Sequence, residues 1–170
     1  VSMSGERSSA VFAVTGFVLA ATVFVLDQVS KFWILRVLDL DGMRGGRVYV
    51  LDPWFNLTMV WNRGVSFGLF AADSDWQRVI LVALSLTIAG LLAAWLLRAE
   101  RWLQTLAFGL IIGGALGNVV DRVIHGAVAD FLDFSGLYFP YVFNVADAAI
   151  TTGVAALLLD LLIGGEDART

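Results

Sequence analysis

The chain has 170 residues, 59% of them hydrophobic and 15% charged, with a mean hydropathy of +0.82. An ordinary soluble domain carries roughly 25% charge, so water is not the only solvent of this chain. A formal net charge of -4 and the lack of any Lys/Arg-rich run argue against nucleic acid as a partner, because phosphate binding needs clustered basic side chains. With no cysteine there is no disulfide framework, thiol nucleophile or thiolate metal site, and the single histidine, His125, argues against a histidine-rich one. Beside Gly126, His125 reads as a loop residue.

One membrane-embedded domain over residues 1–170 is expected, since no linker or repeat divides the chain. A helical span needs about 20 mostly apolar residues. Four stretches qualify: 9–26, 79–97, 102–120 and 143–163, the first three uncharged and the last containing Asp147 and Asp160. The first has too long an apolar run and too little leading positive charge for a signal peptide and reads as a retained span. In the segment 28–78, residues 48–51 and 55–61 are rich in β-branched and aromatic side chains around an Asp52-Pro53 turn, which predicts two short strands. The segment 121–142 is predicted to be a short helix or loop. The glycines at 109, 113, 114 and 117 form overlapping GxxxG patterns, which let helix backbones approach closely.

Each crossing reverses the side on which the next segment emerges. With the N-terminal side designated A and the other B, parity puts Asp27, Asn62, Asn118, Asp121, Arg122, Asp130, Asn144 and Asp147 on B or at its membrane edge. Trp54, Trp61, Trp76, Tyr138 and Tyr141 read as headgroup-level anchors on the same side. B carries seven of the eleven basic residues, so the positive-inside rule does not support A as the cytoplasmic side.

An intramembrane acid is a functional candidate because its charge costs about 2.5 to 3.5 kcal/mol at a helix centre. Asp160 is close enough to the A end of its span to reach the interface, and Asp39, Asp41, Asp52, Asp73 and Asp75 sit in polar surroundings that predict solvation. Asp27 and Lys31 have the spacing of a helical ion pair, which explains them without catalysis. Asn118, Asp121 and Arg122 share a helical face, where Arg122 can neutralise Asp121. Asp130 and Asp147 have no basic neighbour within four residues and lie among apolar side chains, which disfavours the anion. Two such carboxyls brought together share one proton, the resting state of an aspartic protease. One then takes a proton from water while the other protonates the leaving amine, with no metal or other cofactor. Asn144 shares a face with Asp147 and can serve that acid or form a packing pair with it.

The segments Leu26-Asp27-Gln28-Val29-Ser30-Lys31, Asn62-Arg63-Gly64-Val65-Ser66-Phe67-Gly68, Gly117-Asn118-Val119-Val120-Asp121-Arg122, Val128-Ala129-Asp130-Phe131 and Phe143-Asn144-Val145-Ala146-Asp147 together resemble the lipoprotein signal peptidase (signal peptidase II) family. The resemblance implies a four-span, all-α membrane peptidase with a small extracytoplasmic β-rich segment. Its implied reaction is removal of signal peptides from diacylglyceryl-modified prolipoproteins, with cleavage before the lipidated cysteine. Asp130 and Asp147 match the catalytic pair. Asn62, Gly64, Asn118, Arg122 and Asn144 match site-lining positions, while Asp27, Lys31 and Asp121 match supporting ones. Further implications are a bacterial inner-membrane location with B outside and the termini cytoplasmic, contact with membrane lipids, and inhibition by globomycin-type compounds. Val65, Ser66 and Ala129 depart from the pattern without touching the chemistry. The rival reading is a small proton-coupled transporter, against which the crowding of polar residues on B argues.

Overall fold

The computed structural model describes residues 3–64 and 75–167. It contains four long helices: α1 (Met3–Phe32), α2 (Asp75–Leu96), α3 (Trp102–His125) and α4 (Val145–Asp167). Each has a stretch long and apolar enough to cross a bilayer. The predicted Val65, Ser66, Phe67 and Gly68 portion of the asparagine-glycine motif, and Asp73, lie outside the described residues.

The apolar faces of α1, α2 and α4 point largely outward, whereas 67% of the most apolar window of α3 is buried. The glycines explain that central position. On one side of α3, a Cβ added at Gly109 would strike the Gly16 carbonyl and Leu19, and one at Gly113 the Ala20 carbonyl and Val23, all on α1. On another side, Gly114 faces the Ala146 carbonyl of α4, and Gly153 of α4 returns the fit against the Ala107 carbonyl. The predicted glycine packing is thus observed between three helices. Van der Waals contact between closely approached backbones replaces the hydrophobic drive that lipid cannot supply.

The B-side segments fold into one antiparallel sheet. Strands β1 (Arg47–Leu51) and β2 (Phe55–Asn62) match the two predicted strands within one residue at each end. Two further strands, β3 (Val128–Asp133) and β4 (Val142–Phe143), complete the order β1-β2-β3-β4. Residues 121–142 therefore contain no separate long helix. Helix α3 runs past residue 120 to His125, where Gly126 closes it in the left-handed conformation at φ 75°. Only a three-residue turn, Ser135–Leu137, is helical beyond it. Ile34, Leu40 and Phe131 form a small core beneath the sheet, and Arg47 Nη2 meets Asp133 Oδ2 at 2.8 Å.

Several expected exposures are corrected. Asp160, at the A end of its span, is not solvated but buried at 2% exposure, 3.2 Å from Arg101 Nη1 and hydrogen-bonded by Gln104 Nε2 at 2.8 Å. Those two side chains come from the start of α3, so the acid staples two helices at their A ends. Trp61 is half-buried, its ring tilted against that of His125 and its Nε1 donating to Asp41. His125 is the last residue of α3 and not a loop residue. Trp54, Trp76, Tyr138 and Tyr141 are exposed, as anchoring requires, and so are Asp39, Asp41, Asp52 and Asp75.

Candidate active site

The B-side start of α4 organises the polar cluster. Asn144 precedes the first helical residue, and its Oδ1 accepts from Asp147 N at 2.9 Å. In return, Asp147 Oδ2 accepts from Asn144 N at 3.3 Å. This is a reciprocal capping box with Asp in the third helical position, and it satisfies backbone donors that a helix start otherwise leaves unpaired. A third donor, Ala146 N, goes to Asp27 Oδ1 at 3.0 Å, tying α1 to the same helix end.

Asp130 reaches the cluster from the sheet. It lies on β3 opposite Val60 of β2, in a strand whose first four residues are all buried. Asn62 Nδ2 donates to Asp130 Oδ2 at 3.0 Å, and Asn144 Nδ2 donates to Oδ1 at 2.7 Å. Asn144 therefore touches both acids, through its amide nitrogen to Asp130 and through its carbonyl oxygen and backbone to Asp147. Asn62 is held in turn by Gly64, whose N–H donates to Asn62 Oδ1 at 2.9 Å from a φ of 100° that disfavours any residue with a Cβ.

Beneath the two acids, Lys31 Nζ makes ion pairs of 2.8 Å with both Asp27 Oδ2 and Asp121 Oδ2. Its third contact is Asn118 Oδ1 at 3.2 Å. That oxygen also accepts from Asn144 Nδ2 at 3.2 Å, which leaves Asn118 Nδ2 to donate to Asp147 Oδ1 at 2.8 Å. One buried ammonium thereby fixes which way the Asn118 amide faces.

The predicted residues thus converge, with one correction. The cation paired with Asp121 is Lys31 from α1, not the adjacent Arg122, whose Nη1 donates to Asn118 O at 3.3 Å. Asp121 also accepts from Ala129 N at 3.1 Å, fixing the entry to β3. Gln28 was not singled out in the sequence, yet its Nε2 lies 3.1 Å from Asp27 Oδ2, 3.3 Å from Gly117 O and 3.4 Å from Asp121 Oδ1. Its place between Asp27 and Lys31 was the available signal.

Burial pushes the Asp130 carboxyl up to about 6, the nearby Asp147 carboxylate adds to the shift, and the Asn62 and Asn144 amides oppose it. Proton binding by Asp130 therefore contributes stability that is complete below the unfolded value of 3.8 and is lost as pH rises through about 6. The gap corresponds to about 3 kcal/mol. In detergent, the Tm of Asp130→Asn minus that of the wild type is expected to rise between pH 4 and pH 7. A difference that does not change with pH would contradict this linkage.

A helical membrane bundle that closes two carboxylates through a shared asparagine at one end has the parts of a membrane-embedded aspartic peptidase. The family model described as signal peptidase (SPase) II matches residues 19–163. The lipoprotein signal peptidase of Caulobacter vibrioides is 49% identical over 152 residues, covering 89% of this chain and 88% of the relative. That of Beijerinckia indica is 48% identical, covering 90% of each. A bacterial membrane enzyme solved by the in meso method at 2.3 Å resolution superposes with a TM-score of 0.75 at 27% identity, over 90% of each chain. The chain belongs to the signal peptidase II family and is an aspartic-type endopeptidase.

Proposed function

We propose that Asp130 and Asp147 are the catalytic pair with which this enzyme removes the signal peptide of diacylglyceryl-modified prolipoproteins, cutting on the N-terminal side of the lipidated cysteine. Prolipoprotein signal-peptide cleavage is the reaction of the family. The observation that carries the residue assignment is Asn144, which bonds Asp130 through its side chain and Asp147 through side chain and backbone.

The raised Asp130 carboxyl is the member that keeps the shared proton. Asp147 then takes a proton from water as the water oxygen attacks the scissile carbonyl. Asp130 donates a hydrogen bond to the developing oxyanion, and its proton goes to the leaving amine nitrogen as the C–N bond breaks. Asn62 and Asn144 hold the acid, Asn118 holds the base, and Arg122 lines the substrate side. Asp27, Lys31 and Asp121 support the pair from below.

In this reading, residues 1–170 form one membrane-embedded peptidase domain, side B with its sheet faces the outside of the inner membrane, and both termini are cytoplasmic. Globomycin-type inhibitors belong to the same site. The test is cleavage of a purified precursor in detergent. The lipid-modified precursor is expected to be cut before its modified cysteine and the unmodified form to remain intact. Equal cleavage of both would overturn the substrate assignment. Because the chain has no cysteine, single cysteines at Asp41 and Glu100 report orientation directly. An impermeant thiol reagent added to whole cells is expected to label the first and spare the second.

A further inference from the structure

Strand β2 carries one residue more than the stretch of β3 it pairs with. Leu57 lies opposite Leu132 and Val60 opposite Asp130, so three steps along β2 span two along β3. The irregularity falls at Thr58 and Met59, where Met59 N donates to Gly46 O at 2.7 Å on the β1 side. Side chains alternate along a strand, and an added residue turns the rest of the strand over. Without it, Met59 and Trp61 would stand opposite Asp130 and Val128, and Asn62 would point away from the acid. With it, positions 60 and 62 face Asp130, as the 3.0 Å bond from Asn62 Nδ2 to Asp130 Oδ2 shows.

Val60 therefore stands directly across from Asp130, its Cβ about 5 Å from that of the acid. It has no side-chain polar group with which to hold the carboxyl, and it takes no part in the small core beneath the sheet, which Leu57 and Met59 join. Its side chain is 39% exposed while Asp130 is buried. An open, β-branched apolar side chain thus flanks the acid on the face that Asn62 closes with an amide.

In the proposed reaction Asp130 donates to the scissile carbonyl oxygen, and the side chain of the residue before the bond branches from the carbon next to that carbonyl. The residue after the bond is the modified cysteine, whose acyl chains are drawn into the hydrocarbon and away from the sheet. The preceding residue is the one left to meet the sheet. We propose that Val60 is a specificity-determining residue, the wall against which the substrate residue before the scissile bond packs, and that its branched volume limits the size of that residue. The proposal rests on the assignment of Asp130.

Two lipid-modified precursors that differ only in alanine or leucine before the modified cysteine, cleaved in competition by the full chain in detergent, test it. Their relative rates give the ratio of kcat/KM values, in which the folded fraction of enzyme cancels. The wild type is expected to favour the alanine precursor. Val60→Ala is expected to move the ratio toward the leucine precursor by at least about tenfold, the effect of a small change in an apolar pocket, and Val60→Phe to move it the other way. Val60→Thr, alike in shape, is expected to keep the wild-type ratio. Equal cleavage of both precursors by the wild type, a ratio unchanged in Val60→Ala, or a shift in Val60→Thr as large as that in Val60→Ala would each overturn the assignment of Val60. Asp130→Asn separates that failure from failure of the catalytic reading. Full activity of Asp130→Asn removes both, whereas an inactive Asp130→Asn beside an unchanged Val60→Ala ratio removes the role of Val60 alone.

Discussion

Asp130→Asn and Asp147→Asn are each expected to lower cleavage of a lipid-modified precursor by at least about 10³-fold while the protein stays folded. In the proposed reaction, proton transfer in both directions runs through the pair, and an amide can neither take the proton from water nor supply one to the amine. Asparagine keeps the volume of the side chain, so the burial of position 130 and the helix start at position 147 survive. At position 130 one of the two donors, from Asn62 or Asn144, loses its acceptor, at a cost of about 1 to 3 kcal/mol. Removing the buried negative charge offsets part of this near neutral pH. Because the two acids act as one unit, the double variant is expected to be no less active than either single one. Single-turnover cleavage assays read the effect, with thermal unfolding in the same detergent as the control for folding. Full activity in either variant would remove that residue from the reaction.

Lys31→Met is expected to be the most damaging substitution for the fold. It leaves Asp27 and Asp121, both buried, facing one another with no cation, and removing one partner from a buried ionic network costs about 3 to 5 kcal/mol. That is a large share of the roughly 5 to 15 kcal/mol by which a domain is stable. The damage extends to the site, because Lys31 also fixes the Asn118 amide that donates to Asp147. The informative companion is the triple variant Lys31→Met, Asp27→Asn, Asp121→Asn. It removes both orphaned charges and leaves an asparagine oxygen to accept from Ala146 N, so folding is expected to recover. A Tm for Lys31→Met within about 2 °C of the wild type would show that the ammonium is not a keystone.

What the sequence disclosed and what it hid follow from how local each interaction is. Hydropathy, glycine spacing and strand composition are local properties, and they located the four spans, the packing face of α3 and strands β1 and β2. The Asp27 and Lys31 pair was legible for the same reason, being four residues apart on one helix. The attachment of Lys31 to Asp121 was not, because it joins α1 to α3, and the nearer Arg122 offered an obvious but incorrect partner. Asp130 on a strand was also hidden. A buried run such as Val128-Ala129-Asp130-Phe131 has no alternating pattern, and its pairing with β2 joins segments about 70 residues apart. Position 144 was readable as a neighbour of Asp147 but not as the helix cap, since 142–143 belong to the sheet and the span starts two residues later than its hydropathy indicates. Parity alone gathered the polar residues at one edge of the bilayer. The side chain that joins the two acids could be found only in three dimensions.

The bond from Ala146 N to Asp27 Oδ1 closes a loop of 119 residues, from the end of the first span to the start of the last. The first part of the cluster to be made by the ribosome therefore waits for almost the last. A chain with three spans in the bilayer and the fourth still outside has Asp130 but neither Asp147 nor Asn144 to meet it. On the proposed assignment, the pair is thus incomplete in newly synthesised chains until the fourth span is inserted.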